Sequence, residues 1–213
     1  MKRENTMKTM TALFDDYEDA AQAVRALEAA GFEGDDVSLV VSTYGTEGAD
    51  ADIVSGEDAA TESAGTGAGL GALLGGASGL LAGLGVIAIP GVGPVVAAGW
   101  LLSTAVGAVA GAAVGGATGG LIGTLVHSGV HESDAHVLAE SMRRGGSVVS
   151  VRTDEARVEE VEGIFEAAHR VDIAQRRYLL ESEGWTAFDP SAPDYDPEEA
   201  RRQRDRDNLS GPF

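Results

Sequence analysis

Apolar positions recur along this chain at two periods, and one long stretch carries no charge at all. Residues 8–14, Lys-Thr-Met-Thr-Ala-Leu-Phe, alternate loosely and predict a strand. Asp15 and Asp16 follow as candidate helix caps. Ala20, Ala23, Val24, Leu27 and Ala30 then recur at helical spacing, and Gly31 closes the helix. Phe32 is expected to fold back onto it. Val37 to Ser42 predicts a second strand, parallel to the first, with room for another between them. Beyond the uncharged stretch, Ser133 is expected to cap a helix with Ala135, Leu138, Ala139 and Met142 inward and Arg143 and Arg144 at its negative end. Gly145-Gly146 stops it. Ser147 to Arg152 predicts a third strand. Val158, Val161, Ile164, Phe165 and Ala168 mark a further helix, and Val171 to Ala174 a fourth strand.

The uncharged stretch runs from Ser63 to Val126, 64 residues without Asp, Glu, Lys, Arg or His. Two glycine series spaced by four lie in it: Gly67, Gly71, Gly75, Gly79 and Gly83, then Gly107, Gly111, Gly115, Gly119 and Gly123. Glycine costs about 1 kcal/mol per residue against Ala in a helix, so such a series needs a reason. Close approach of helix backbones supplies one. The series mirror each other, Gly67 with Gly123 and Gly83 with Gly107, about a centre at residue 95. That is the pattern of an antiparallel hairpin, with helices expected over 63–89 and 94–127. Pro90, Gly91, Gly93 and Pro94 form its expected turn.

The fold class this predicts is α+β: a ferredoxin-like split β-α-β domain interrupted by a long antiparallel glycine-zipper helical hairpin. Its parts are residues 7–44, the first half of the domain; 45–62, an acidic linker; 63–130, the hairpin; 131–176, the second half; and 177–213, a polar tail. Trp185 and Phe188 are expected to pin the tail by aromatic burial.

Charge narrows the partners. The net charge is −19, which opposes binding to nucleic-acid phosphates and to anionic lipid headgroups. From Glu33 to Glu62 there are nine acidic residues and no basic one, but not in calcium-loop spacing. Cysteine is absent, which removes disulfides and thiolate chemistry. No apolar core follows the basic start, so the N-terminus does not read as a secretory signal. His127 and His131 are four apart, but Gly129 lies between them at the expected helix end, so neither is assigned as a metal ligand. The six residues from Gly67 resemble a dinucleotide fingerprint only superficially, because no apolar strand precedes them. No catalytic residue, metal site or cofactor is assigned, and the chain reads as non-enzymatic.

Three runs carry a resemblance. They are the run of 14 residues from Thr11, the glycine-rich run at 79–100 around Ile-Pro-Gly-Val-Gly-Pro, and Arg143-Arg-Gly-Gly-Ser-Val-Val-Ser-Val-Arg. Together with Gly184-Trp185 to Asp189, they resemble bacterial general stress proteins with a heat-induced stress (YflT-type) domain. The resemblance implies a bacterial, stress-induced protein without catalytic residues. The expected partner is the chain itself, a homo-oligomer through the hairpin, and the lipid bilayer or another apolar phase. The expected location is the cytoplasm or the inner membrane, with the soluble domain in the cytoplasm. The alternative reading is a membrane-anchored ferredoxin-like regulatory module that binds a small ligand.

Overall fold

The computed structural model describes residues 7–42, 85–89, 91–100 and 121–192, with residues 195, 198, 199, 202 and 206. In chain order these give β1 (Met7–Phe14), α1 (Tyr17–Ala29), β2 (Val37–Ser42), β3 (Gly85–Ile89) and β4 (Gly93–Gly99). Next come α2 (Leu121–His127), α3 (Glu132–Arg143), β5 (Ser147–Asp154), α4 (Val158–Ala167) and α5 (Ile173–Ser182). The strands form one sheet in the order β1-β5-β2-β4-β3, and every neighbouring pair is antiparallel. Two strands antiparallel to the same neighbour are parallel to each other. So β1 and β2 run parallel, and β5 fills the place that the β-α-β reading leaves between them.

Alternation sorts the strand side chains onto two faces. Phe14, Leu39, Val41, Val149 and Val151 meet α1 and α4 on one face, where Val24, Leu27, Val161 and Phe165 complete the core. Phe14 and Phe165 pack edge to face at 6.1 Å. Leu13, Val40, Val95, Ala97 and Val148 meet α2, α3 and the C-terminal segment on the other, with Leu125, Leu138, Met142 and Phe188. Phe32 does fold back: its N–H donates to Leu27 O at 3.0 Å, and its ring is buried.

Three expectations are corrected. First, no helix runs through 85–99; this segment is the β3–β4 ribbon. Val86, Ile87, Ile89, Val95 and Val96 are β-branched, which favours a pleated surface over a helix. The ribbon also extends β2, so its backbone groups join a ladder that a lone helical pair would lack. Pro94 stands one residue beyond the last β2–β4 pair, Ser42 opposite Val95, where a missing N–H costs little. The glycine spacing had favoured helix, but a period of four in glycine says nothing about the residues between.

Second, Val171–Ala174 is not a fourth strand. Val171 N–H donates to Leu13 O at 2.8 Å, the first step of such a strand. The Asp172 carboxylate then accepts from the N–H groups of Ala174 and Gln175, at 2.8 and 3.0 Å, and starts α5 instead. Helix α5 therefore crosses the expected boundary at residue 176. Third, the sheet is covered on both faces, whereas a ferredoxin-like split β-α-β sheet has helices on one. The cap of α3 also moves, from Ser133 to His131.

Candidate functional site at the edge of the sheet

Among the described residues, the outer edge of β1, where the missing fourth strand would lie, is one of the two edges of the sheet. In an antiparallel ladder a residue's N–H and C=O point to the same side. Arg152 N–H donates to Asp36 O, so the even residues of β5 bond toward β2 and the odd ones toward β1. The partners of those odd residues are Phe14, Ala12, Met10 and Lys8. Met7, Thr9, Thr11 and Leu13 therefore direct their backbone groups outward. Leu13 O is taken by Val171. Among the described residues no strand pairs with the rest of this edge.

A cleft of about 590 Å³ adjoins it, lined by Thr11, Ala12, Asp134, Glu166 and residues 170–174 and 177. Arg170 is tied to Glu166 at 3.0 Å, and Arg177 to Asp134. All four side chains are partly or largely exposed, so these pairs contribute little to stability and leave the guanidinium groups near charge balance. The Thr11 hydroxyl shares a hydrogen bond of 2.8 Å with Ser150. The arrangement offers backbone hydrogen bonds and a mixed lining, in which the apolar Val171, Ile173 and Ala174 stand among the charged Asp134, Glu166, Arg170, Asp172 and Arg177. It does not set a nucleophile beside a base.

The sequence-derived residues fall elsewhere. Gly67, Gly71, Gly75, Gly79, Gly83, Gly107, Gly111, Gly115, Gly119 and Pro90 lie outside the described residues. Gly123 sits in the short helix α2, beside Ile122 and Leu125, which pack on the second core. Gly91 and Gly93 do make a turn, with φ of 76° and 91°, but between strands. Gly91 is required there for a second reason. A Cβ on it would stand 2.7 Å from Pro190 Cα and 2.9 Å from Asp189 O. The C-terminal segment thus crosses this turn in backbone contact, with Phe188 buried beneath it. Pinning of the tail is as expected. His136 Nδ1 accepts the Phe188 N–H at 3.3 Å, a tie the sequence did not suggest.

Two ion-pair clusters also escaped the sequence. Arg176, 4% exposed, grips Asp15 through both carboxylate oxygens at 2.8 and 2.6 Å. Arg144, also buried, donates to Glu140 at 3.0 Å and to Glu183 at 2.8 Å. Such pairs join residues up to 161 positions apart, and no local pattern announces them. The i, i+4 spacing of Glu140 and Arg144 was the one readable signal. His127 and His131 are separated by the turn at Gly129, φ 100°, and do not share a helix.

No family model, curated protein or solved structure matches the chain. Among the described residues no helix is long and apolar enough to cross a membrane.

Proposed function

We propose that this chain is a non-enzymatic self-assembling protein of the bacterial stress response. Its folded domain holds two uncharged glycine-rich arms, residues 63–84 and 101–120, that pack against those of other copies. The stress-response part rests on the sequence resemblance alone. The self-assembly part rests on the glycine spacing and on one geometric observation. In the β3–β4 ribbon Gly85 stands opposite Ala97, so the inner ends of both arms leave the domain side by side. The ribbon reverses about residue 91 and the glycine series about residue 95, so continuing the ribbon's register would set each glycine eight residues from its mirror partner.

The same connection bears on the membrane. Each arm begins and ends in one folded domain. Ser42 and Gly85 bracket the first, and Trp100 and Leu121 the second. A segment that crosses a bilayer and returns needs two spans of about 20 apolar residues each. The second arm has 20 residues in all. This supports packing between copies, or shallow insertion in an apolar phase, over a spanning hairpin. Entry of the expected turn at Gly91 and Gly93 into an apolar phase is disfavoured, because Val92 within it and Val95, Val96 and Ala97 after it are buried in the domain.

Replacing Gly111 and Gly115 by Leu in the full chain fills the proposed contact. The assembly mass by light scattering is expected to fall, with the domain's far-UV spectrum unchanged. An unchanged mass would exclude the arms as the contact. Carbonate washing of cell membranes is expected to release the protein.

A further inference from the structure

Among the described residues the sheet edge at β1 has none of the usual protection beyond Val171 at Leu13. Exposed edge strands are guarded by shortness, proline, bulges or charges, because their unpaired backbone groups recruit other strands. Strand β1 is eight residues long, and pairs with β5 without a break from Met7 to Phe14. It has no proline. Its one charge, Lys8, is bound to Glu155 on its own domain at 2.8 Å.

We propose that this edge pairs with the same edge of a second copy, antiparallel, about a two-fold axis at Thr9. Three observations select that partner and that register. Val171 takes Leu13 O, so among the described residues Met7, Thr9 and Thr11 are the ones that keep both outward groups to offer. A dyad at Thr9 uses all three: Thr9 faces its own counterpart, and Met7 faces Thr11 in both directions. Lys8 then lies opposite Met10, never opposite another Lys8, so no like charges meet across the strands.

The third observation is a fit of knob to hole. Met7 is 52% exposed, one of three large apolar side chains that are exposed among the described residues. Thr11 lines the cleft at the β1 edge. Directly opposed residues in an antiparallel pair put their side chains on the same face. The second copy's Met7 therefore enters the cleft beside Thr11, over Val171 and Ile173, while the first copy's Met7 does the same in return. One edge supplies both the apolar knob and the hole that takes it, which is what an isologous dimer requires. The joined sheet has ten strands.

This contact is separate from the glycine arms and does not rest on them. Proline is tolerated on an edge strand where its nitrogen faces outward, so Thr9→Pro leaves the fold intact and removes both bonds of the central pair. In the full chain, native mass spectrometry and sedimentation are expected to show the assembly mass halved, or a dimer reduced to a monomer, with the pairing weakened about a hundredfold. The Met7 and Thr11 amides exchange faster in the variant. An unchanged mass in a folded Thr9→Pro chain overturns the proposal. Should that variant fail to fold, charge at position 10 decides. Met10→Glu, set opposite Lys8, tightens pairing about threefold and Met10→Lys loosens it about as much. Equal dissociation constants for these two variants overturn the register. Under the proposal, the Gly111 and Gly115 replacements leave the Thr9-dependent halving in place; a chain that is monomeric with those replacements alone overturns it.

Discussion

Helix α1 packs directly on one face of the sheet and helix α5 packs against α3, and they are held by different forces. Helix α1 buries Ala20, Ala21, Ala23, Val24 and Leu27, a continuous apolar stripe against β1, β2 and α4. Helix α5 buries only Leu180 and, unexpectedly, Arg176. Its position comes from charges: Arg176 on Asp15, Arg177 on Asp134, and the following residue Glu183 on Arg144. The stripe contributes more to stability, since apolar burial is roughly additive in area. The ion pairs contribute position. A buried pair gains little net free energy over an apolar pair of the same size, but it is costly when one partner is removed. So α1 is attached by a general force and α5 by particular ones. That difference places the end of α4, the start of α5 and hence the cleft beside β1.

Truncating the stripe has the largest effect expected from this contrast. Leu27→Ala removes a fully buried side chain from the first core and is expected to destabilise the protein by about 3 kcal/mol. The loss should be the same at low and high salt, measured by denaturant titration. Arg176→Leu comes next, at about 3 kcal/mol or somewhat less, because Asp15, 16% exposed, is left without its bidentate partner. Adding Asp15→Asn to that variant is expected to recover most of the loss. If the double variant were as unstable as the single one, Arg176 would act by packing and the contrast between the helices would fail. Asp172→Ala is a smaller step. It removes the cap of α5 and costs about 1 kcal/mol, and it frees residues 171–174 to extend along β1. A gain of strand signal at those residues by NMR chemical shift is the outcome to look for.

The same contrast explains what could be read in the sequence. The α1 stripe repeats at helical spacing, and Val37–Ser42 is a short run rich in β-branched residues, so both elements stand where the pattern puts them. The α4 face of Val161 and Phe165 was equally plain. Residues 85–99 were not, because glycine spacing and β-branching point to different elements there and a tertiary neighbour, β2, decides between them. Val171 to Ala174 failed for a local reason: one aspartate competes with the strand and wins. The clasp of Arg176 on Asp15 depends on the finished fold and was beyond reach. So was the open edge of β1, which exists only because the fourth strand does not form.

The smallest effect expected concerns the strap that crosses Gly91. The Asp189 carboxylate accepts from Ser191 Oγ at 2.6 Å and from Ser191 N–H at 2.8 Å. These bonds favour the ionised form, with the Arg143 charge as a lesser cause, and hold the carboxyl below its ordinary value of 3.8. A lowered value stabilises the folded strap wherever the unfolded group is ionised. The contribution is therefore complete at neutral pH, starts to fall as the pH nears 3.8, and is lost once the pH passes below the depressed value. Since Asp189 O lies against Gly91, acid is expected to loosen the strap locally while α1 and its stripe remain folded. Partly buried Trp185 and the ring of Phe188 report the change through fluorescence and NMR line shape. In Asp189→Ala the acid-dependent step should vanish and the strap should be equally loose at all pH. An acid transition that persists in that variant would assign it to another carboxylate, and would leave the strap held by Phe188 burial alone.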